Sequence, residues 1–204
     1  MSTASHAKLF AALLGEAGTA TPAEVAGRAG VSAEAAAETL GALAREGLLE
    51  PMPGGGFRAT RLDSREVREL YPAVLVLEAV AVRDAPPYGA DAITGMHEAN
   101  AVLEAAPDAT AAARADDLFH QRLTEDCGNP KLLDVVRPLR QALMEYERVY
   151  FSTAERRARS AAQHGAIVHA LAAGDQERAA ALVRENFTTA LPELTAELDA
   201  RDQR

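Results

Sequence analysis

Residues 21–32 have the sequence TPAEVAGRAGVS, which contains the start and end signals of a short helix followed by a turn. Thr21 is a favoured N-cap residue, Pro22 suits the first helical position, and Glu24 completes a capping box with Thr21. Gly30 is expected to end the helix, because glycine is common just past a helix C-terminus. A short helix and a glycine-bearing turn predict the first part of a helix-turn-helix.

The second helix of this motif is predicted over residues 33–46, with Ser32 as its N-cap and Gly47 just past its end. Its apolar positions include Ala36, Leu40 and Leu43. A preceding helix is predicted over residues 5–16. Its apolar face consists of Leu9, Phe10, Leu13 and Leu14.

A β-hairpin is predicted directly after the second helix. Residues 47–50 indicate a short strand, residues 51–56 a turn with three consecutive glycines, and residues 57–60 the returning strand. Together these elements predict a winged helix-turn-helix domain over residues 1–62. The alternative is a small helical domain that happens to carry a hairpin. The matching register of caps and glycines favours the winged helix.

Only helix signals follow Asp63. The predicted helices span residues 63–84, 90–105, 109–126, 131–151, 154–173 and 176–190, and Pro192 is expected to open a last short helix. The short connections between them predict an antiparallel bundle. The fold class is therefore mainly α, with an all-helical second domain over residues 63–204.

Composition narrows the class of protein. Cys127 is the single cysteine, so the 204-residue chain can form no internal disulfide, as is typical of cytoplasmic proteins. The chain shows no secretory signal and no apolar run of roughly 18 residues, so we expect a cytoplasmic protein without a membrane span. The net charge is −9, and residues 1–61 hold five Lys/Arg against six Asp/Glu. Residues 1–61 therefore lack the excess of lysine and arginine that is typical of strong nucleic-acid binding.

Polar side chains are predicted on the buried faces of three helices. Asp116 and His120 are four residues apart and share a face with Phe119 and Leu123. His164 lies on the same stripe as the apolar Ile167, Val168 and Leu171. Asn186 is in line with Ala179, Leu182 and Val183. An Asp and two His are suitable ligands for zinc or a similar divalent ion, with Asn as a weak fourth.

A plainer interpretation of the same residues stays open. Asp–His pairs four residues apart are common in helices, so Asp116 and His120 alone are compatible with a hydrogen bond. His164 is then an unrelated core histidine.

The order of the two predicted domains resembles that of the GntR family of bacterial regulators. The likeness is to the FadR-like branch, which has an all-helical FCD sensor domain. Residues 116–123 match the branch's D-x-x-F-H-x-x-L pattern, and residues 127–130 are similar to its S-G-N-P turn. Residues 160–175 resemble its S-x-x-E-H-x-x-I-x-x-A-[IL]-x-x-G-D run. The likeness covers about residues 65–190.

The resemblance implies a divalent metal held by one Asp and three His beside a small carboxylate effector. Carried over, the ligands are Asp116, His120 and His164, whereas the last His of the pattern falls on Asn186. A neutral amide binds zinc more weakly than imidazole does.

The expected effector-binding arginine is also missing. The branch usually places an arginine four residues before the glutamate that matches Glu78, and Val74 occupies that position here. Arg140 and Arg148 are the candidate replacements for binding an effector carboxylate, and Asn186 is a further candidate ligand-binding residue.

The recognition helix departs from the family most strongly. The family pattern G-V-S-R-x-x-V-R-E-A-L has two arginines that reach DNA, and both align with alanines here, Ala33 and Ala37. Glu34 and Glu38 add negative charge to the same helix. The remaining candidate DNA-contacting residues are Lys8, Arg28, Ser32, Arg45, Arg58 and Arg61.

Two functions remain open from the sequence. The first is a ligand-responsive transcription regulator, a homodimer that binds a small organic acid and DNA. The second is a relative that no longer reads DNA and uses the helical site as an enzyme or a small-molecule-binding protein. In that case Asp116, His120 and His164 would be catalytic, through a metal or as a general base.

Overall fold

The computed structural model describes residues 19–45, 49–59 and 63–202. The chain divides into two compact units, Met1–Leu62 and Asp63–Arg204. Most of the described residues are helical. The predicted helix over residues 5–16 lies outside the described residues, as do Lys8 and Arg61. None of the described helices is long and apolar enough to cross a membrane.

The described residues of the first unit form two helices and a three-stranded antiparallel sheet. These elements are β1 (Thr19–Ala20), α1 (Pro22–Ala29), α2 (Ala33–Arg45), β2 (Leu49–Pro51) and β3 (Phe57–Ala59). The strand order is β1-β3-β2, so β1 adds a third strand to the predicted hairpin. Helices and sheet share a small core of Ala20, Val25, Ala36, Leu40 and Leu49.

The capping signals form as expected. Thr21 Oγ1 accepts a hydrogen bond from the Glu24 backbone N–H, and the Glu24 carboxylate accepts one from Thr21 N–H at 2.7 Å. Gly30 ends α1 in the left-handed region with φ of 68°, which glycine adopts without strain. Ser32 Oγ accepts from Ala35 N–H at 3.1 Å and so caps α2. The local sequence therefore defines both helices of the predicted helix-turn-helix.

Residues 63–202, the described part of the second unit, form a bundle of six helices. They are α3 (Ser64–Arg83), α4 (Ala90–Glu104), α5 (Ala109–Thr124), α6 (Pro130–Tyr150), α7 (Ala154–Ala172) and α8 (Gln176–Asp202). The most extensive helix–helix contact joins α3 to α8. α5 packs against α4 and α6, and α7 packs against α4 and α8. This arrangement brings the inner faces of α3, α5, α6, α7 and α8 towards one another.

Pro192 does not open a new helix, contrary to the sequence prediction, because α8 continues through it to Asp202. An interior proline costs a helix roughly 3 kcal/mol. Leu194 and Leu198 lie beyond the proline and are buried in the bundle. Burial of each leucine contributes about 1.5–3 kcal/mol, so the two together offset the proline's cost.

Candidate metal centre and adjoining cleft

Asp116, His120 and His164 meet inside the bundle. Asp116 and His120 lie one turn apart on α5, and His164 comes from α7. All three side chains are buried, and their candidate ligand atoms lie within 4.8 Å of one another. Asp116 Oδ2 is 3.8 Å from His120 Nε2, and Asp116 Oδ1 is 3.4 Å from His164 Nε2. The three residues can therefore offer one carboxylate and two imidazole ligands to a single ion.

His164 is a buried imidazole without a hydrogen bond. Neither ring nitrogen has a hydrogen-bond partner among the described residues, and the side chain is fully buried. Its ring stacks on Phe119, with the ring centroids 3.8 Å apart. Burial lowers the pKa of His164 to about 3, although the nearby Asp116 opposes this shift. The ring is therefore neutral at physiological pH, the form in which imidazole binds metals.

Glu78 on α3 orients the second histidine. His120 Nδ1 lies 2.5 Å from Glu78 Oε2, and both side chains are buried. An ionised carboxylate only accepts hydrogen bonds, so Nδ1 carries the hydrogen and Nε2 faces Asp116. A carboxylate behind a metal-binding histidine fixes its ring orientation in this way.

Arg140 on α6 is the cation at the centre of the cluster. It lies 3.1 Å from Asp116 and 3.0 Å from Glu147. It also lies 3.6 Å from Glu78 and 3.5 Å from Asp117. Burial would raise the pKa of Asp116, but His120, His164 and Arg140 outweigh it, so that this pKa is lowered. The guanidinium is thus already shared among four carboxylates.

Negative charge is in excess in this cluster. Glu78, Asp116 and Glu147 are each less than one-twentieth exposed, and Arg140 is the one arginine that is buried in the described part of the chain. With His164 neutral, these three carboxyl groups share one buried guanidinium. Burial raises the pKa of Glu147 well above its ordinary value, with Arg140 opposing. The excess is therefore relieved by a proton on Glu147 or by a bound cation.

Asn186 lines a small cavity together with two of the three candidate ligands, Asp116 and His120. This cavity has a volume of about 20 Å³ and also contacts Arg140. Asn186 Nδ2 donates one hydrogen bond to Gln163 Oε1 at 3.0 Å, and the amide keeps its Oδ1 acceptor and a second Nδ2 hydrogen. Roughly 10–15 Å³ suffices for one water molecule, so the cavity has room for a single water or ion.

A larger cleft adjoins the cluster between α5 and α6. Its volume is about 280 Å³, and His120 and Arg140 form part of its wall. Arg148, the other predicted effector-binding arginine, lines neither cavity and pairs with Glu145 at 2.6 Å. Val74 is buried in the apolar core. Of the two candidate arginines, only Arg140 is therefore brought to the site.

Two residues of the cluster, Glu78 and Glu147, were missed as site residues by sequence reasoning. Each lies on the apolar stripe of its helix: Glu78 follows Val67, Tyr71 and Val74, and Glu147 follows Val136, Arg140 and Leu143. The signal that identified Asp116, a carboxylate on a buried stripe, applies equally to both.

The candidate DNA-contacting residues of the first unit lie on its surface. Arg58 on β3 pairs with Glu50 on β2 at 2.6 Å, and Arg45 Nε donates to the Gly41 carbonyl oxygen at 3.2 Å. Ser32 is exposed and serves as the cap of α2. The exposed positions of α2 include Ala33, Glu34, Ala37 and Glu38.

The second unit matches a known domain. The family model of the FCD domain matches residues 69–189, more than half of the chain. The chain belongs to the FCD domain family. The resemblance found in the sequence is thereby confirmed at the level of this domain. No curated protein sequence is significantly similar to the chain.

Several solved structures share the fold over most of the chain. A Rhodococcus sp. RHA1 protein named as a transcriptional regulator GntR has a TM-score of 0.68 at 21% identity, covering 93% of this chain and 92% of that chain. A GntR family transcriptional regulator from Pseudomonas syringae pv. tomato str. DC3000 has a TM-score of 0.61 at 18% identity, covering 90% and 78%. E. coli McbR/YncC has a TM-score of 0.59 at 18% identity, covering 86% of each chain. At these identities the likeness establishes the fold.

Proposed function

We propose that this protein is a ligand-responsive transcription regulator. In this proposal the first unit is a winged helix that binds DNA, and the FCD domain binds a small-molecule effector. One observation carries the proposal: a single chain joins a capped helix-turn-helix and sheet to an FCD domain that buries an Asp–His–His cluster. The neighbours named as transcriptional regulators support the same assignment, as does the order of the two units.

DNA contacts would be mostly to the phosphate backbone. Alanine can touch a thymine methyl group but cannot hydrogen-bond to a base edge, so Ala33 and Ala37 limit direct base recognition. Arg45 and Arg58 are the described cations that we assign to phosphate contacts, with Ser32 at the start of α2. Arg58 would exchange its partner Glu50 for a phosphate. The expected binding is therefore weak and strongly dependent on salt.

Asp116, His120 and His164 would hold a divalent ion such as zinc, with Asn186 Oδ1 as a weak additional ligand. Three observations support the fit: the His164 nitrogens make no hydrogen bond within the described residues, three buried carboxylates surround one guanidinium, and Asp116 and His120 line a small cavity. A bound ion supplies charge that neutralises the carboxylates and a Lewis-acid contact for an effector oxygen. Glu78 would keep His120 oriented toward it.

One observation favours a second function: the exposed face of α2 carries two glutamates and no arginine at the positions of Ala33 and Ala37. Glu34 and Glu38 are exposed there and would oppose approach to DNA. In this alternative the protein does not bind DNA and acts as a small-molecule-binding protein or enzyme. Asp116 and His120 would then serve as a general base, alone or with a metal.

DNA binding separates the two functions. We would titrate the full chain into labelled DNA from upstream of its own gene, at several salt concentrations, and follow fluorescence anisotropy. The regulator proposal expects binding at micromolar protein or below, weakening as salt rises. Arg58→Ala should reduce the salt slope by about 1, as for one lost phosphate contact. The control Arg201→Ala, in the FCD unit, should leave the slope unchanged. Absence of salt-sensitive binding at micromolar protein would rule the regulator out.

A further inference from the structure

The 280 Å³ cleft between α5 and α6 has walls of opposite charge. Its floor is apolar, formed by the buried Leu133 and Val136. Asp117 and Glu125 line it from the α5 side, and Arg137 lines it from α6. The volume is slightly below the roughly 300–1,000 Å³ common for ligand pockets, which suits a small metabolite.

The guanidinium of Arg140 also lines this cleft but is not free to bind an anionic ligand. It already lies within 3.6 Å of carboxylate oxygens of Glu78, Asp116, Asp117 and Glu147. A ligand carboxylate there would be the fifth around one cation. A simple acid bound through Arg140 is therefore electrostatically disfavoured.

Arg137 is the cation of the cleft that has no partner. It is exposed and makes no hydrogen bond or ion pair with any residue in the described part of the chain. Arg137 lies about one helical turn before Arg140 on α6. Arg137 is exposed at the mouth of the cleft, whereas Arg140 is buried at its inner end. A planar guanidinium in this position suits bidentate binding of a carboxylate.

The opposite wall offers acceptors for a positive group. Asp117 Oδ2 accepts from Gln121 at 2.7 Å, and Glu125 pairs with Arg122 at 3.0 Å. Both carboxylates keep acceptor capacity, since an ionised carboxylate can accept about four hydrogen bonds. Asp117 also lies 3.5 Å from Arg140, so each carboxylate of this wall already has one nearby cation, and a ligand ammonium group would bind to its remaining acceptor sites.

We propose that the cleft binds a zwitterion of the amino-acid class. Its carboxylate pairs with Arg137, its ammonium group pairs with Glu125, and its side chain rests on Leu133 and Val136, while Asp117 adds negative charge to the same wall. The inference deepens the proposed effector-binding function of the FCD domain and rests on it. Arg137 is thus the specificity residue for the carboxylate.

Matched ligands test the proposal. The thermal unfolding midpoint of the full chain would be measured with each standard amino acid, and hits would be titrated by calorimetry. Each hit would be compared with its deaminated acid and its decarboxylated amine. At least one amino acid should bind, and both analogues should bind at least about tenfold more weakly, as expected for loss of a charged hydrogen-bonding partner.

Two variants locate the site. Arg137→Gln should weaken amino-acid binding at least about tenfold. Lys131→Gln, an exposed position on the same helix outside the cleft, should leave it unchanged. Glu125→Gln should reduce the preference for the amino acid over its deaminated acid.

Three results would overturn the proposal: no amino acid binds, the deaminated acid binds equally well, or Arg137→Gln binds as the wild type does. These results are independent of DNA binding. Amino-acid binding without DNA binding would contradict the proposed transcription regulator but would support the proposed class of ligand.

Discussion

The Nδ1 atom of His120 lies 2.5 Å from Oε2 of Glu78, in a pair that is wholly buried between α5 and α3. The contact joins a candidate metal ligand to a helix that offers no ligand itself. Because Glu78 determines which ring nitrogen carries the hydrogen, it also determines that Nε2 is the atom available near Asp116. Glu78 is accordingly a positioning residue.

Replacement of Glu78 tests that role. Glu78→Gln should weaken zinc binding by about 10- to 100-fold, because His120 loses its orienting carboxylate. Zinc affinity measured by calorimetry is the readout. Glu69→Gln, an exposed position on the same helix, is the matched control and should bind zinc as the wild type does. Equal zinc affinities for Glu78→Gln and the control would show that Glu78 does not position His120 for metal binding.

His164 is predicted to be needed for the metal but not for the fold. His164→Phe keeps a ring against Phe119 and removes two nitrogens that have no hydrogen-bond partner. We expect the metal-free variant to fold and to lose no more than about 1–3 kcal/mol of its free energy of unfolding, because the phenyl ring is somewhat larger than the imidazole that it replaces. The increase in unfolding midpoint that zinc produces in the wild type should be lost. A variant that still responds to zinc would contradict the assignment.

Arg140 and a metal are predicted to compete for Asp116. Arg140→Met should destabilise the metal-free protein by about 3–5 kcal/mol, because it leaves buried carboxylates without their cation. The same variant should bind zinc more tightly than the wild type and regain stability when zinc is added. Arg140→Lys, which keeps the charge, should show both effects more weakly. Denaturant unfolding with zinc and with chelator checks this, and a zinc affinity lowered in Arg140→Met would contradict it.

Acid is predicted to destabilise the metal-free protein partly through His164. The unfolded chain protonates this residue near the ordinary histidine pKa of 6.5, whereas burial lowers the folded-state pKa to about 3. The unfolded state therefore binds more protons between these values, and the free energy of unfolding falls as the pH falls through this window. The contribution reaches about 1.4 kcal/mol per pH unit.

The comparison with His164→Phe isolates this contribution. Glu147 has a raised pKa and so acts in the opposite direction, but it is present in both proteins. Between about pH 6 and about pH 5, the wild type should lose about 1 kcal/mol more than the variant in urea unfolding with chelator. Parallel pH profiles would show that His164 does not remain neutral in the folded protein.

The acidic residues of α2 are predicted to weaken DNA binding. The double substitution Glu34→Ala and Glu38→Ala should raise DNA affinity at low salt about 2- to 30-fold. This range assumes that each exposed charge weakens binding by roughly 0.2–1 kcal/mol. Glu104→Ala with Glu177→Ala removes the same charge from the other unit and is the control. An affinity gain as large in the control would mean that total charge, and not the α2 face, is responsible.

The helix-turn-helix and the three candidate ligands were accessible from the sequence because both depend on local patterns. Thr21 and Gly30 act within one or two turns of chain, and the helical period alone places Asp116 with His120 and directs His164 inward.

The carboxylate partners of Arg140 could not be predicted from local sequence patterns. Glu78, Asp116 and Glu147 approach it from three helices, and which helices meet depends on the packing of the whole bundle. The continuation of α8 through Pro192 has the same origin, since burial of Leu194 and Leu198 outweighs a local preference to stop.

The central claim, that the protein regulates transcription, is tested most directly by sequence-specific DNA binding. The measurement is the affinity of the full chain for DNA upstream of its own gene, relative to scrambled DNA of the same length and at the same salt. The proposal predicts at least about tenfold tighter binding to the upstream DNA, a modest ratio because Ala33 and Ala37 replace base-reading arginines. Equal affinity for the two DNAs would contradict it.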